Sequence, residues 1–293
     1  MGFKRLVFYN HFGAGDIFES REFVKDWMKI VPAEKYFYAH GKHPKILKDI
    51  PELEFTPVTE EMNGMKDVTF SANNEDLFVN TWIGRDGRFV LPGIGCVVEK
   101  LYEMHNDMLY RYGFGQLPRQ ILEYVPTIDY SYYKTDTIND FITKYSGGMV
   151  LISNGNVQSS QANNFDMTPS ILAICDMFPH NTFIVTQPIT ETKPNLFLST
   201  DIIKSEEPFD LNEVSYLSLF CNVIIGRNSG PHVFAQVLPN WMSSTSKRIL
   251  SFTYTNIAAT FVLEQKVKMR KFWSPAITPE EVTSTIKMVM EYV

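Results

Sequence analysis

The chain of 293 residues carries a net charge of −6, with 44% hydrophobic and 20% charged residues, which suits a soluble globular protein and excludes a disordered one. The acidic balance argues against nucleic acid as the main partner, because phosphate neutralisation needs clustered Lys and Arg. Cys96, Cys175 and Cys221 are isolated, with no CxxC pair, so neither a disulfide framework nor a thiolate metal site is expected and the setting reads as reducing and cytoplasmic. No basic-then-apolar leader precedes the first strand, and no apolar run approaches the ~18 residues of a membrane span. The chain therefore reads as complete and without an integral membrane segment, while contact with a membrane surface stays open.

At roughly 150 residues per domain, two domains are the economical expectation. Residues 4–9 (KRLVFY) predict a buried strand and residues 17–30 a helix, with Phe23, Trp27 and Ile30 on one stripe. "KYFYAH" predicts a second strand, "HPKILKDIP" a short helix, "LEFTPV" a third strand and "EDLFVNTWIG" a fourth. A long helical pattern follows from about 94 to 112, and the segment near 115–147 looks like a change of domain, with "YSGG" as the boundary.

The second half restarts the alternation with "GMVLISN", a helix over 166–177, strands at "TFIVTQ" and "NLFLST", and a helix over 210–220. "NVIIG", a helix over 231–238, "RILSFTY" and a helix from Thr278 complete it. Strands alternating with helices imply parallel sheets covered on both faces. The expected class is α/β, with two Rossmann-like domains, 1–146 and 147–293, facing across a cleft, and the last helix free to pack back on the first domain.

The segment "NVIIGRNSGPHVFAQ" concentrates polar groups at the end of an apolar strand. Asn228 and Ser229 are good cap residues, Gly230 admits close backbone approach, and Pro231 suits the first helical position. Arg227 and His232 lie beside them, so the turn is a candidate anion site, with a diphosphate as the natural occupant; a well-capped turn that binds nothing is the plainer reading. The loop "ISNGNVQSSQANNF" offers Asn154, Gly155, Gln158 and Ser159 as a second phosphate cradle, or as a solvated loop.

These residues resemble the C-terminal signature of heptosyltransferase-type glycosyltransferases, "IG-x-D/N-SG-P-x-H-x-A", and "GAGDI" near the N-terminus resembles the same family's Gly-Asp acceptor loop. The resemblance implies the GT-B fold, a nucleotide-sugar donor on the second domain, a glycan or glycolipid acceptor on the first, and no metal or cofactor. Arg227 and Asn228 stand where the family often has an acidic residue, and His232 follows Pro231 without the usual spacer. The donor's identity is therefore not carried over.

Inverting transfer needs a base for the acceptor hydroxyl and stabilisation of the leaving diphosphate. Asp16 follows Gly15 at a strand-to-helix turn, where it can cap the helix or point outward. The resemblance implies the second role, that of catalytic base. His11, at the strand tip, is an alternative base. Gly13 and Gly15 let the chain turn tightly, while Asn10, Asn80 and Trp82 sit at strand ends where they could hold a sugar. No Asp-x-Asp or HExxH pattern occurs, so no metal is implied. The competing readings are a nucleotide-sugar epimerase of the related fold and a non-catalytic nucleotide- or glycan-binding protein. A dehydrogenase is set aside, because "GAGDIF" lacks the third glycine and no acidic residue closes the second strand.

Overall fold

A computed structural model describes residues 2–64, 70–73, 75–82, 97–145, 147–158, 162–228, 230–244, 246–254 and 268–292. The chain forms two compact units, Met1–Asp129 and Tyr130–Val293.

In the first unit, β1 (Phe3–Asn10), β2 (Ala33–His40) and β3 (Leu53–Thr56) run parallel, and β5 (Asp76–Asn80) joins the other side of β1. β4 (Phe70–Ala72), which the sequence does not signal, pairs antiparallel with β5 and completes the order β3-β2-β1-β5-β4. The last five residues of β1 are buried on both faces, which is why it reads as one apolar run. The predicted helix over 17–30 is two helices, α1 (Ala14–Glu19) and α2 (Arg21–Ile30). They part at Ser20, whose hydroxyl turns back to the Ile17 carbonyl at 2.8 Å. A short helix, α3 (Glu60–Gly64), was also not foreseen.

Trp27 of α2 donates to His105 of α4 (Val97–Arg111) at 2.7 Å, and Phe23 stacks on both His105 and Tyr124. Arg119 binds Glu22 and Asp26 at 2.8 and 2.7 Å, and Tyr124 donates to Asp26, so residues 119–127 are laced to α2. The predicted extension of the fourth strand to residues 83 and 84, the start of the long helix, and Cys96 lie outside the described residues.

The second unit begins with α5 (Asp136–Lys144) and builds β6 (Met149–Ser153), α6 (Thr168–Met177), β7 (Thr182–Val185), β8 (Leu196–Leu198) and α7 (Ser199–Ile203). It continues with α8 (Leu211–Ser218), β9 (Val223–Arg227), α9 (Pro231–Phe234), α10 (Leu238–Ser243), β10 (Arg248–Phe252), β11 (Arg270–Ser274) and α11 (Pro279–Glu291). Its six strands are all parallel in the order β11-β10-β9-β6-β7-β8. Renumbered within the unit this is the dinucleotide-fold order, with its crossover reversing at β6. β11 escapes sequence reading because it is an edge strand carrying Arg270 and Lys271 among its aromatics. Its core joins Val150, Ile152, Ile171, Phe183, Ile225 and Ile286, and α11 packs on α6 and β10.

Each unit is thus an open, largely parallel sheet whose connections reverse at one strand, β1 or β6. Ligands of such sheets bind at the carboxyl ends of the strands beside that reversal. Among the described residues, no helix is long and apolar enough to cross a membrane.

Candidate functional site

In the first unit the reversal lies between β1 and β5, and the loop there is built on buried polar groups. Asn10, 0% exposed, accepts from the Phe12 amide at 2.9 Å and donates to Thr81 at 3.2 Å. Thr81 also bonds the Tyr38 hydroxyl at 2.6 Å, and Tyr38 reaches Ser20 at 2.9 Å. Asn80 is buried as well and accepts from the Trp82 amide. Both asparagines, expected to hold a sugar, are buried here and hydrogen-bond to the backbone two residues on.

Trp82 stacks on Phe12 with ring centroids 3.5 Å apart, so one of its faces is occupied within the protein. His11 bonds the Met62 carbonyl of α3 at 3.1 Å. Gly13 and Gly15 bracket the first turn of α1. Gly13 is its N-cap, and a Cβ there would meet the Asp16 carboxylate at 3.1 Å.

Asp16, at the third position of α1, accepts from the Gly13 amide at 3.1 Å while staying partly exposed. It caps the helix and keeps part of its surface accessible. Burial raises its pKa, opposed by the amides of Gly13 and Asp16 and by the charge of Lys42. A carboxylate raised in this way holds a transferred proton better than a solvated one.

In the second unit the reversal lies between β6 and β9. Arg227, at the end of β9, is 1% exposed, and its guanidinium donates to the carbonyls of Asn163, Asn154, Gly155 and Phe165 while lying over the Phe165 ring. The arginine expected at the donor site thus hydrogen-bonds backbone carbonyls at 154–155 and 163–165, tying these two stretches to the end of β9. His232 is buried, 0% exposed. Its Nε2 lies 2.9 Å from the Ser251 hydroxyl and its pKa is pushed down to about 3 by burial, so the ring is neutral. Gly226 makes room for it, since a Cβ there would come within 3.0 Å of His232 and 2.7 Å of Ser153.

Asn228 accepts from Gln236 at 3.2 Å and is almost fully buried. Gly230 has φ +49 and open space where a Cβ would stand, so the backbone itself is approachable. The helix it caps is a single turn of four residues, which leaves little macrodipole to attract an anion. Ser229 and Ser159 lie outside the described residues.

Asn154 uses its amide to tie β6 to the end of β7, accepting from Thr186 and Gln187 and donating to the Gln187 carbonyl. Beside it opens a cleft of about 770 Å³, lined by Asn154, Gly155, Asn164, Asp166, Thr168 and Gln187 among others. The volume falls within the range of small-molecule sites. Gln158 is exposed on the same loop. The sequence does not single out Asn164, Asp166, Thr168 and Gln187 as site residues, because they come from two segments, 164–168 and the end of β7, that only the sheet brings together beside Asn154. The one available signal was the asparagine density of residues 154–164. Among the described residues, no group of three or more His, Cys, Asp or Glu is arranged to hold a metal ion.

The two units define a GT-B-like, two-Rossmann architecture, and solved structures of that architecture match the chain along its whole length. No family model and no curated protein sequence matches it. A family 9 glycosyltransferase from Veillonella parvula is similar with a TM-score of 0.54 and 12% identity, over 99% of this chain and 98% of that one. The ADP-heptose LPS heptosyltransferase II of E. coli is similar with a TM-score of 0.52 and 15% identity, over 98% of each chain. A proposed UDP-N-acetylglucosamine 2-epimerase from Listeria monocytogenes is similar with a TM-score of 0.51 and 9% identity, over 100% of this chain and 89% of that one. The resemblance carried by the two short motifs thus extends, as fold, across the chain.

Proposed function

We propose that this protein is a glycosyltransferase that moves a sugar from a nucleotide-sugar donor to a glycan or glycolipid hydroxyl with inversion. The observation that carries this reading is Asp16: a capped, partly exposed carboxylate with a raised pKa, at the carboxyl edge of β1 beside the sheet's reversal. In the proposed step, Asp16 takes the proton of the acceptor hydroxyl as that oxygen attacks the anomeric carbon. The bond to the diphosphate breaks, and the electron pair leaves with the nucleotide. The second unit holds the donor along the 154–158 loop and the cleft beside it, with the approachable backbone at Gly230 as a further contact. Arg227 acts there through the loop that it ties down.

His11 is kept as the alternative base, although its Nε2 is engaged by Met62. The epimerase reading draws on the Listeria similarity, but it calls for acid and base carboxylates around the loop after β9. The described residues of that loop, Arg227, Asn228, Gly230, Pro231 and His232, include no carboxylate, and Asp166 is the one carboxylate among the described residues lining the cleft beside it, so transfer is favoured.

The test is a panel of ADP-, UDP- and GDP-sugars, scored first for binding and then for transfer or hydrolysis, in wild type and in Asp16→Ala and His11→Ala. Binding with turnover lost in Asp16→Ala is the expected result. Binding without turnover in wild type points to the non-catalytic reading, and no binding by any donor ends the proposal. Turnover is expected to persist in EDTA.

A further inference from the structure

Glu19 closes α1 three residues after Asp16, so the two carboxyls stand one turn apart on the same helix face. Glu19 is 5% exposed, and its Oε1 is buried with no hydrogen-bond partner among the described residues. Leaving such an atom without a partner is costly, so packing alone favours an apolar residue at this position. Burial without a hydrogen-bond partner points to a carboxyl kept neutral.

The elements packed on α1 bring other charged and titratable groups. Lys45 sits in the turn at 44–47 with Lys42 and His43 just before it, Tyr38 lies on β2, and Arg21 of α2 is paired with Asp49. Lys42 acts on Asp16, whereas among the described residues the charge acting on Glu19 is that of Asp16. Burial first, and then Asp16, hold Glu19 well above the ordinary glutamate range.

We propose that Glu19 is a positioning residue for the Asp16 base: a buried, proton-bearing carboxyl one helical turn away, which leaves the pair a single charge and leaves that charge on Asp16. This rests on the reading of Asp16 given above. The two groups then titrate as a unit, the first proton leaving mainly from Asp16 and the second from Glu19. When the acceptor's proton arrives on Asp16 the pair passes from one negative charge to none, and Glu19 keeps its own proton throughout.

The experiment is a carboxyl-carbon NMR titration of the full chain labelled at Asp and Glu, in wild type, Asp16→Asn and Glu19→Gln. Glu19 is expected to be protonated at pH 7 in wild type. In Asp16→Asn its midpoint is expected to fall by roughly one to two pH units, the size of a like-charge interaction across one turn at an effective dielectric near 20. Should Asp16→Asn not fold, Asp16→Ser keeps a capping oxygen and gives the same readout. The pH profile of kcat/KM, measured with the nucleotide-sugar that the panel identifies, is expected to lose its upper ionisation in Glu19→Gln; a space-filling role would leave its shape unchanged. A Glu19 midpoint near the ordinary value of about 4.3, or one unmoved by Asp16→Asn, overturns the inference. Full transfer by Asp16→Asn overturns the reading of Asp16 itself, and the Glu19 midpoint decides the pairing separately.

Discussion

The loop after β1 and the loop after β9 both lie beside the reversal of their sheets, the first on the reversing strand itself and the second on the neighbour of β6, and each passes through glycine into a helix, yet they bury opposite chemistry. After β1, the interior holds an uncharged network of Asn10, Thr81, Tyr38 and Ser20 and the carboxyl of Glu19, while Asp16 stays partly exposed. After β9, the interior holds the Arg227 guanidinium and a neutral His232, and the approachable element is backbone at Gly230. One loop leaves a carboxylate partly exposed and the other spends its side chains on presenting main chain. A glycine between strand and helix therefore does not say which loop carries a reactive group. That depends on which polar atoms the surrounding packing has already used.

The comparison breaks most sharply at Asp16. Asp16→Asn is expected to lower kcat by about 10²–10⁴-fold, the range of a lost general base, with donor affinity retained and only a small change in Tm. Activity and calorimetry on the same preparation check both halves. Arg227→Lys is expected to behave in the reverse sense. A point-charge ammonium cannot span the four carbonyls that the planar guanidinium serves, so stability falls by roughly 3–5 kcal/mol and donor binding weakens with the loop. Denaturant unfolding and nucleotide titration read these losses, and a lysine variant as stable as wild type would remove the loop-holding role.

Gly226→Ala is the next test, because the added Cβ meets Ser153 and His232 at 2.7 and 3.0 Å. Overpacking of this kind costs about 1–3 kcal/mol, or roughly 2–4 °C in Tm per kcal/mol for a domain of this size. The comparison is finest in two pH slopes of opposite sign. His232 has a folded pKa of about 3, below its unfolded value of 6.5, so its contribution to stability is present above pH 6.5 and is lost as the pH falls toward 3. Its slope is about 1.4 kcal/mol per pH unit within that window, and His232→Gln should flatten it. Glu19 is raised above its unfolded value of 4.5, so its contribution is present below pH 4.5 and is lost as the pH rises toward its folded pKa. Glu19→Gln should remove that part of the slope, and melting curves across pH compare the two variants directly.

Much of the fold was legible because buried parallel strands such as Leu6–Asn10 and Val223–Ile225 are continuous apolar runs ended by turn residues. What escaped were short or edge elements: β4, with three residues, β11, whose basic residues mask its pairing, and the break at Ser20, where a side-chain hydrogen bond ends one helix and starts another. In the candidate site, the residue types were legible and their uses were not. Asn10, Asn80, Arg227 and His232 stand out as candidate contacts because they are polar and lie at or just after strand ends, and each is buried and hydrogen-bonded within its own unit, which no local pattern announces. Glu19 passed unnoticed because a glutamate on a helix ordinarily faces water.

By itself the sequence determined the alternation of strands and helices, the two glycine turns, and the aspartate three residues into the first of them. Hydrophobic periodicity and turn chemistry are local properties, written in neighbouring residues. Only the tertiary structure decided which polar groups are consumed in holding loops and which keep their chemistry exposed. That outcome depends on contacts between residues tens of positions apart, such as Arg227 with Asn154 and Gly155, or Asn10 with Thr81. Burial then converts those contacts into charge states.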